Sequence, residues 1–320
     1  MSKFIITGGA GYIGSHLSSR LLAEGHDIKI IDKIPIEKAI RLKPILKNKR
    51  LHYSQLDIAR AKNLTSEFDG YDAVVHFAAN LDIQLGHRHT DLDLKQGTIL
   101  TYNVLEAMRL CNIRKIIFPS SSTIYGHASK TPTTEDTGML FPISLYGAAK
   151  LSSEALISAF CYLYDMKSWI LRFGTIIGNG MKRGVIFDLV NKLRKNQSDL
   201  DVLGDGEQIK DYIHMDDCID GILHVYKNTS EKINVFNLSS GTTISVKEIV
   251  KIILEEMNLS NVRIKYIGGP PGWKKEGWAG NVKFFHYDIT KIKKTGWAPK
   301  FSSYQAVRLA VKSYLKIARN

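Results

Sequence analysis

The stretch that decides the fold is Thr7-Gly8-Gly9-Ala10-Gly11-Tyr12-Ile13-Gly14, near the start of a chain of 320 residues. It follows the apolar run 4–7, which reads as a strand, and opens residues 12–24, which read as a helix. Its glycines stand at 8, 11 and 14. The first permits a tight turn, the second lets backbone N–H groups approach a ligand closely, and the third lets helix lie on strand. A helix that starts this way offers free N–H groups to an anion, and a pyrophosphate fits that chemistry. The next strand, 27–31, runs into Asp32, 18 residues past Gly14. A carboxylate there accepts from ribose hydroxyls and repels a 2′-phosphate, so Gly8, Gly11, Tyr12, Ile13, Gly14 and Asp32 predict a dinucleotide site that takes NAD over NADP. Lys33, beside Asp32, pulls the other way. Asp57-Ile58, after a third strand, is expected to meet the adenine.

Outward from this loop, apolar runs at 73–77, 115–118 and 168–172 alternate with helical spacing at 98–110 and 146–162. That rhythm predicts βαβ units and a parallel sheet. Past residue 174 the texture changes to a glycine-rich loop at 174–184, a helix at 185–195, a Gly204-Asp205-Gly206 turn, a short strand at 212–214 and a helix at 216–226. The expected fold is α/β: a Rossmann-like doubly wound parallel sheet over 1–174, and a smaller C-terminal α/β substrate lobe over 175–320. Residues 210–240 are expected to return to the sheet.

Apolar residues at 44% and charged residues at 23% describe a folded globular chain. No apolar run reaches the roughly 18–20 residues that span a bilayer, so no membrane role is expected. Residues 1–7 lead straight into a strand, with no leader pattern, and a cytoplasmic enzyme is expected. Cys111, Cys161 and Cys218 are isolated and predict free thiols. His87-Arg88-His89 reads as a solvated loop, and no metal site is expected. The net charge of +13 is uneven: residues 261–320 carry thirteen Lys or Arg against two acids, Glu276 and Asp288. Such a tail invites a nucleic-acid or membrane-surface reading.

The chemistry argues otherwise. Tyr146-Gly147-Ala148-Ala149-Lys150 places a phenol and an ammonium at i, i+4 on one helix face. An ammonium favours the phenolate, which can then take a proton from a sugar hydroxyl. A second pair at this spacing, Tyr287 and Lys291, has no strand–helix context and reads as coincidence. Tyr146 lies 25 residues after Ser121, in a serine run that follows a strand, where an open sheet places its site.

With these residues together, the sequence resembles the extended short-chain dehydrogenase/reductase family, in particular nucleotide-sugar epimerases of the UDP-glucose 4-epimerase type. The resemblance runs through 7–14, Asp57-Ile58, His76-Phe77-Ala78-Ala79, 120–126, 146–154, Leu171-Arg172-Phe173, 204–217, 237–246 and Gly296-Trp297. It implies Tyr146 as base, Lys150 as its partner and ligand of the nicotinamide ribose, and Ser121 as donor to the same oxygen. It implies NAD contacts at Phe77, Ala78 and Ala79, and a homodimer built on helices 98–110 and 146–162. Related 4,6-dehydratases carry an Asp-Glu pair after the hydroxyl residue, where this chain has Ser122-Thr123. A 4-epimerase needs only one base.

The substrate half departs from the family pattern. Thr175 replaces an Asn, and Lys210 replaces an Arg that would grip a diphosphate bidentately. Matching the late family motif to Tyr287-Asp288 puts Asp288 at the substrate, Phe285 at the position that gates an N-acetyl group, Trp278 in place of an Arg, and Asn281 in place of an Asp. Leu94 replaces an Asn near the cofactor. Lys274 and Lys275 are candidates for the missing charge. Asp216-Asp217 reads as a helix start, not as an acid–base pair. The expected substrate is a nucleotide sugar, a UDP-hexose. The competing readings are a nucleotide-sugar reductase, a 4,6-dehydratase, and a non-catalytic NAD- or RNA-binding member of the fold. The basic tail then reads as a lure for an anionic substrate, with Lys312, Lys316 and Arg319 on a solvated face.

Overall fold

Runs such as Phe4-Ile5-Ile6 and Ala73-Val74-Val75 show no alternation, so both faces of their strands need cover, and all six residues are buried. The computed structural model describes residues 1–61, 63–128, 131–268 and 282–317. In chain order the elements are β1 (Lys3–Thr7), α1 (Tyr12–Ala23), β2 (Asp27–Asp32), β3 (Leu51–Gln55), α2 (Thr65–Phe68), β4 (Ala73–His76), α3 (Ile83–Arg88), α4 (Leu100–Leu110), β5 (Lys115–Ser121), α5 (Leu145–Leu163) and β6 (Lys167–Phe173). They continue with β7 (Thr175–Ile177), α6 (Val185–Lys195), β8 (Asp199–Leu203), β9 (Ile209–His214), α7 (Met215–Asn228), β10 (Ile233–Leu238), β11 (Thr243–Ser245), α8 (Val246–Glu256), β12 (Arg263–Ile267), α9 (Thr290–Lys293) and α10 (Ser303–Ile317). The chain divides into two units, one of residues 1–126, 140–172 and 222–236, the other of 127–139, 173–221 and 237–320.

The first unit is built on a seven-stranded sheet in the order β10-β6-β5-β4-β1-β2-β3. β1 pairs in parallel with β2 on one side and β4 on the other. The winding reverses between β1 and β4, the point at which an open sheet places its binding crevice. Its core joins Val104, Leu105 and Met108 of α4 and Ile157 and Phe160 of α5 to the sheet. The second unit holds a three-stranded sheet, β11-β9-β7, and a two-stranded one, β12-β8. Its core is formed by α6, α8 and α10 through Leu189, Leu193, Ile249, Ile253, Val307 and Val311. α8 begins with a capping box, Ser245 with Glu248.

Three elements differ from the sequence pattern. β5 runs on to Ser121, so Ser120 and Ser121 belong to the strand's last turn of pleat. The helix expected over 98–110 starts at Leu100, preceded by a π-helical turn, Leu94–Ile99, in which the Gly97 carbonyl is taken by the Thr101 hydroxyl at 2.8 Å. His87 and Arg88 are exposed, but they end α3 and are not a loop; Asp82 caps that helix by accepting from Leu85 N.

Candidate active site

The cofactor residues converge in the first unit. Gly8, Gly11, Asp32, Asp57, Ile58, Phe77, Ala78 and Ala79 line one cleft of about 180 Å3, together with Lys33, Ile34, Leu56, Leu81, Gln96 and Leu100. Gly8 takes φ +68°, and a Cβ there would lie 2.7 Å from the backbone nitrogen of Ala78. No other residue allows the loop after β1 to close on the loop after β4 in this way. Tyr12, Ile13 and Gly14 form the first turn of α1, whose start at Gly11 has no side-chain cap. Those N–H groups suit an anion. Asp32 accepts from Ala10 N at 3.0 Å and from Ile34 N at 3.1 Å, so it ties the glycine loop to β2 and keeps lone pairs for hydroxyls. A glycine cradle that a Cβ would fill, a free helix start and a carboxylate at the rim fit a dinucleotide. Leu81, Gln96 and Leu100 carried no motif; they reach the cleft from the loop after β4, the π-helical turn and the start of α4.

The catalytic candidates sit on α5 and at the end of β5. Lys150 is buried, and its ammonium donates to the Pro119 carbonyl at 2.7 Å. Its nitrogen stands 4.6 Å from the Phe118 ring centre and 5.8 Å from that of Tyr146. Burial lowers the Lys150 pKa to about 8, against an upward pull from Glu154. Ser121 accepts from Thr123 N at 3.2 Å and from Thr123 Oγ1 at 3.1 Å. With both acceptor positions used, its own proton is left to give. Tyr146 is half-buried, behind an N-cap in which Ser144 accepts from Gly147 N.

Gly147 explains how α5 meets the serine turn. A Cβ there would lie 2.6 Å from the Thr123 carbonyl oxygen. The 3₁₀ turn Ser122–Tyr125 can therefore press against α5 one residue beyond Tyr146. Neither Ser122 nor Thr123 on that turn brings a carboxyl group.

His76 lies behind these groups. Ala78 N donates to Thr7 Oγ1, which stands 2.7 Å from His76 Nδ1, and His76 Nε2 stands 3.2 Å from Thr101 Oγ1. The Thr101 proton goes to the Gly97 carbonyl, so Thr101 accepts from His76 Nε2, and a His76 kept neutral by burial then accepts from Thr7 at Nδ1. Burial, with the Lys150 charge, lowers its pKa to about 3.

The second unit contains a cavity of about 260 Å3 whose wall includes Thr175, Arg183, Gln208, Lys210 and Tyr212. Strand alternation puts Lys210 and Tyr212 on this face of β9 and Asp211 on the other. There Asp211 is bound by Ser239 and by Ser240 at 2.9 Å, and burial raises its pKa to about 6. Burial lowers the Lys210 pKa to about 8. Arg183 and Gln208 belong to the glycine-rich loop and to the segment before β9, and a strand pattern could have placed Gln208 beside Lys210. Phe285 and Asp288 are not on this wall. Phe285 packs edge-on to Tyr287 at 4.6 Å, and Asp288 Oδ1 accepts from Thr290 N at 2.7 Å. The Tyr287 hydroxyl donates to the Phe173 carbonyl. Asp217 bonds outside its own helix, accepting from Lys300 N and Phe301 N. Lys274, Lys275, Trp278, Asn281 and Arg319 lie outside the described residues.

Residues 4–239 match the NAD dependent epimerase/dehydratase family. The chain belongs to this family. A putative UDP-glucose 4-epimerase of Methanocaldococcus jannaschii is 29% identical over 314 residues, 96% of each chain. A putative UDP-arabinose 4-epimerase of Arabidopsis thaliana is 30% identical over 95% of this chain and 74% of its own. A crystal structure of UDP-glucose 4-epimerase with UDP-glucose from Thermotoga maritima superposes with a TM-score of 0.85 at 27% identity, covering 99% of both chains. This is an enzyme of the NAD-dependent nucleotide-sugar epimerase family, with its α/β fold.

The Gly147 contact makes a direct prediction. Gly147→Ala should push the Thr123 turn from α5 and lower kcat at least tenfold, with NAD affinity by calorimetry changed less than threefold, about 0.7 kcal/mol. An unchanged kcat would remove this role from the glycine.

Proposed function

We propose that the chain is an NAD-dependent nucleotide-sugar 4-epimerase of the UDP-glucose/UDP-galactose type. The observation that carries this reading is the Tyr146–Lys150 pair on α5, with the Lys150 ammonium buried on the Pro119 carbonyl two residues before Ser121. NAD, held at Gly8, Gly11, Asp32 and Ala78, would supply reversible hydride acceptance. Tyr146 takes the proton of the sugar 4-hydroxyl and later returns it to the same oxygen. Lys150 holds the phenolate charge, and Ser121 donates to that oxygen. Because Tyr146 acts at oxygen, it serves either configuration at C4. The absence of a carboxyl group on Ser122 and Thr123 speaks against dehydration, which needs a separate acid and base.

The cavity in the second unit is the place we assign to the anionic nucleotide part, with Lys210 and Arg183 as its cations and Thr175 and Gln208 as polar neighbours. Phe285 and Asp288 then act by shaping the second unit. In the first unit Tyr102, Leu110, Tyr162 and Leu163 are exposed on α4 and α5. A second copy covering them would give the homodimer, and sedimentation should show twice the chain mass; a monomer at micromolar concentration would contradict it. A cytoplasmic setting fits the free thiols of Cys111, Cys161 and Cys218.

NAD-loaded protein should interconvert UDP-glucose and UDP-galactose without added cofactor, ahead of UDP-arabinose, UDP-glucuronate and dTDP- or GDP-sugars. Tyr146→Phe should lose at least a thousandfold in kcat, about 4 kcal/mol, while still binding NAD. Preference for another sugar, or net consumption of reduced cofactor, would overturn the assignment. Lys210 adds a pH signature. Above about pH 8 it loses its proton, so KM for the nucleotide sugar should rise there. Lys210→Arg, which does not titrate, should keep KM flat. A flat wild-type KM would remove Lys210 from the diphosphate.

A further inference from the structure

α5 carries a third polar group on the face of Tyr146 and Lys150. Glu154 follows Lys150 at i+4, as Lys150 follows Tyr146. It is buried, and Arg172 of β6 grips it with two bonds, Nη2 to Oε2 at 2.8 Å and Nε to Oε1 at 3.2 Å. Arg172 Nη1 also donates to the Tyr125 hydroxyl at 2.9 Å. Tyr125 is buried and ends the 3₁₀ turn that begins just after Ser121. One guanidinium therefore joins α5, β6 and the serine turn. A planar fork is suited to this three-way geometry.

The charges matter as much as the bonds. Lys150 stands one helical turn from Glu154, and in a buried setting each feels the other's field. Around it His76 of β4 is neutral and β5 brings the Phe118 ring and the Pro119 carbonyl, while α4 and the π-helical turn meet α5 through Thr101–Ser153 and Thr98–Ser152 hydroxyl pairs. His87 and Arg88 of α3 are exposed. Among the described residues Glu154 acts directly on Lys150, Arg172 binds Glu154, and the buried Asp93, at the start of the π-helical turn that packs on α5, is held by Asn80.

We propose that Glu154 and Arg172 are positioning residues that hold α5 to the serine turn and set the field in which Tyr146 and Lys150 share their protons. The idea rests on Tyr146 being the base. Removing the anion raises the positive charge around the pair, which eases loss of a proton from both members. Removing the cation does the reverse. Removing both leaves the net charge as it was.

The test needs no sugar. In NAD-loaded protein, phenolate formation at Tyr146 is followed by near-ultraviolet absorbance against pH, as the difference from Tyr146→Phe in each background. Glu154→Gln should move that titration to lower pH by about one unit. Arg172→Met should move it to higher pH by a similar amount. Glu154→Gln with Arg172→Met should bring it back to the wild-type position, and it provides a charge-balanced variant should either single change fail to fold. Wild-type titration below the range of free tyrosine, with these opposite shifts, supports the proposal. No shift in a single variant that folds, shifts of one sign, or a double variant displaced from the wild-type position overturns it while leaving Tyr146 as base. Absence of any such phenolate in the wild type removes the base, and the proposal with it.

Discussion

A buried ammonium cannot be left without compensation, and the arrangement around Lys150 follows from that constraint. Its nitrogen is tethered to the Pro119 carbonyl, which ties the first turns of α5 to the C-terminal edge of β5. Ser121 ends that same strand, and the turn after it lies against Gly147. The site is thus anchored to a strand and a helix rather than suspended in loops, which suits groups that must hold position through a proton transfer. The cost of burying the charge appears as the depressed Lys150 pKa, and that depression keeps the ammonium near its titration at working pH.

The first unit was largely legible in the sequence because its signals are local. The spacing of Gly8, Gly11 and Gly14, the acid at the end of β2 and the i, i+4 pair on α5 depend only on strand and helix periodicity. Short continuous apolar runs marked β1, β2, β4, β5 and β6, as expected of parallel strands buried on both faces. The π-helical turn was not legible, since its wide hydrogen bonding leaves the 98–110 apolar spacing unchanged. Asp217 stands in the first turn of α7, as its sequence position predicts, but its hydrogen-bond partners were not legible. A helix start is local, whereas its partners, the backbone at 300 and 301, are distant in sequence.

Charge counting by segment was the least reliable guide. The bases of the C-terminal segment find acids upstream of it. Lys283 pairs with Asp205, Lys300 with Asp220, Arg263 with Asp199, and Arg308 with both Glu255 and Glu256. Lys312, expected on a solvated face, stands 3.8 Å from Glu256. Several of the tail's bases are thus engaged in surface ion pairs, which are worth little for stability. The charge that stands on a cavity wall is different in kind. Lys210 is a half-buried cation on β9, visible in sequence only as a departure from the Arg of the family.

The central claim is that one base at Tyr146 serves a reaction in which the hydrogen on C4 leaves the sugar and comes back to it. It is tested most directly by converting UDP-glucose deuterated at C4 in ordinary water and examining the product by mass spectrometry. The account predicts UDP-galactose that keeps its deuterium at C4. Product that has exchanged the label with solvent, or turnover that yields no C4 epimer, would contradict it.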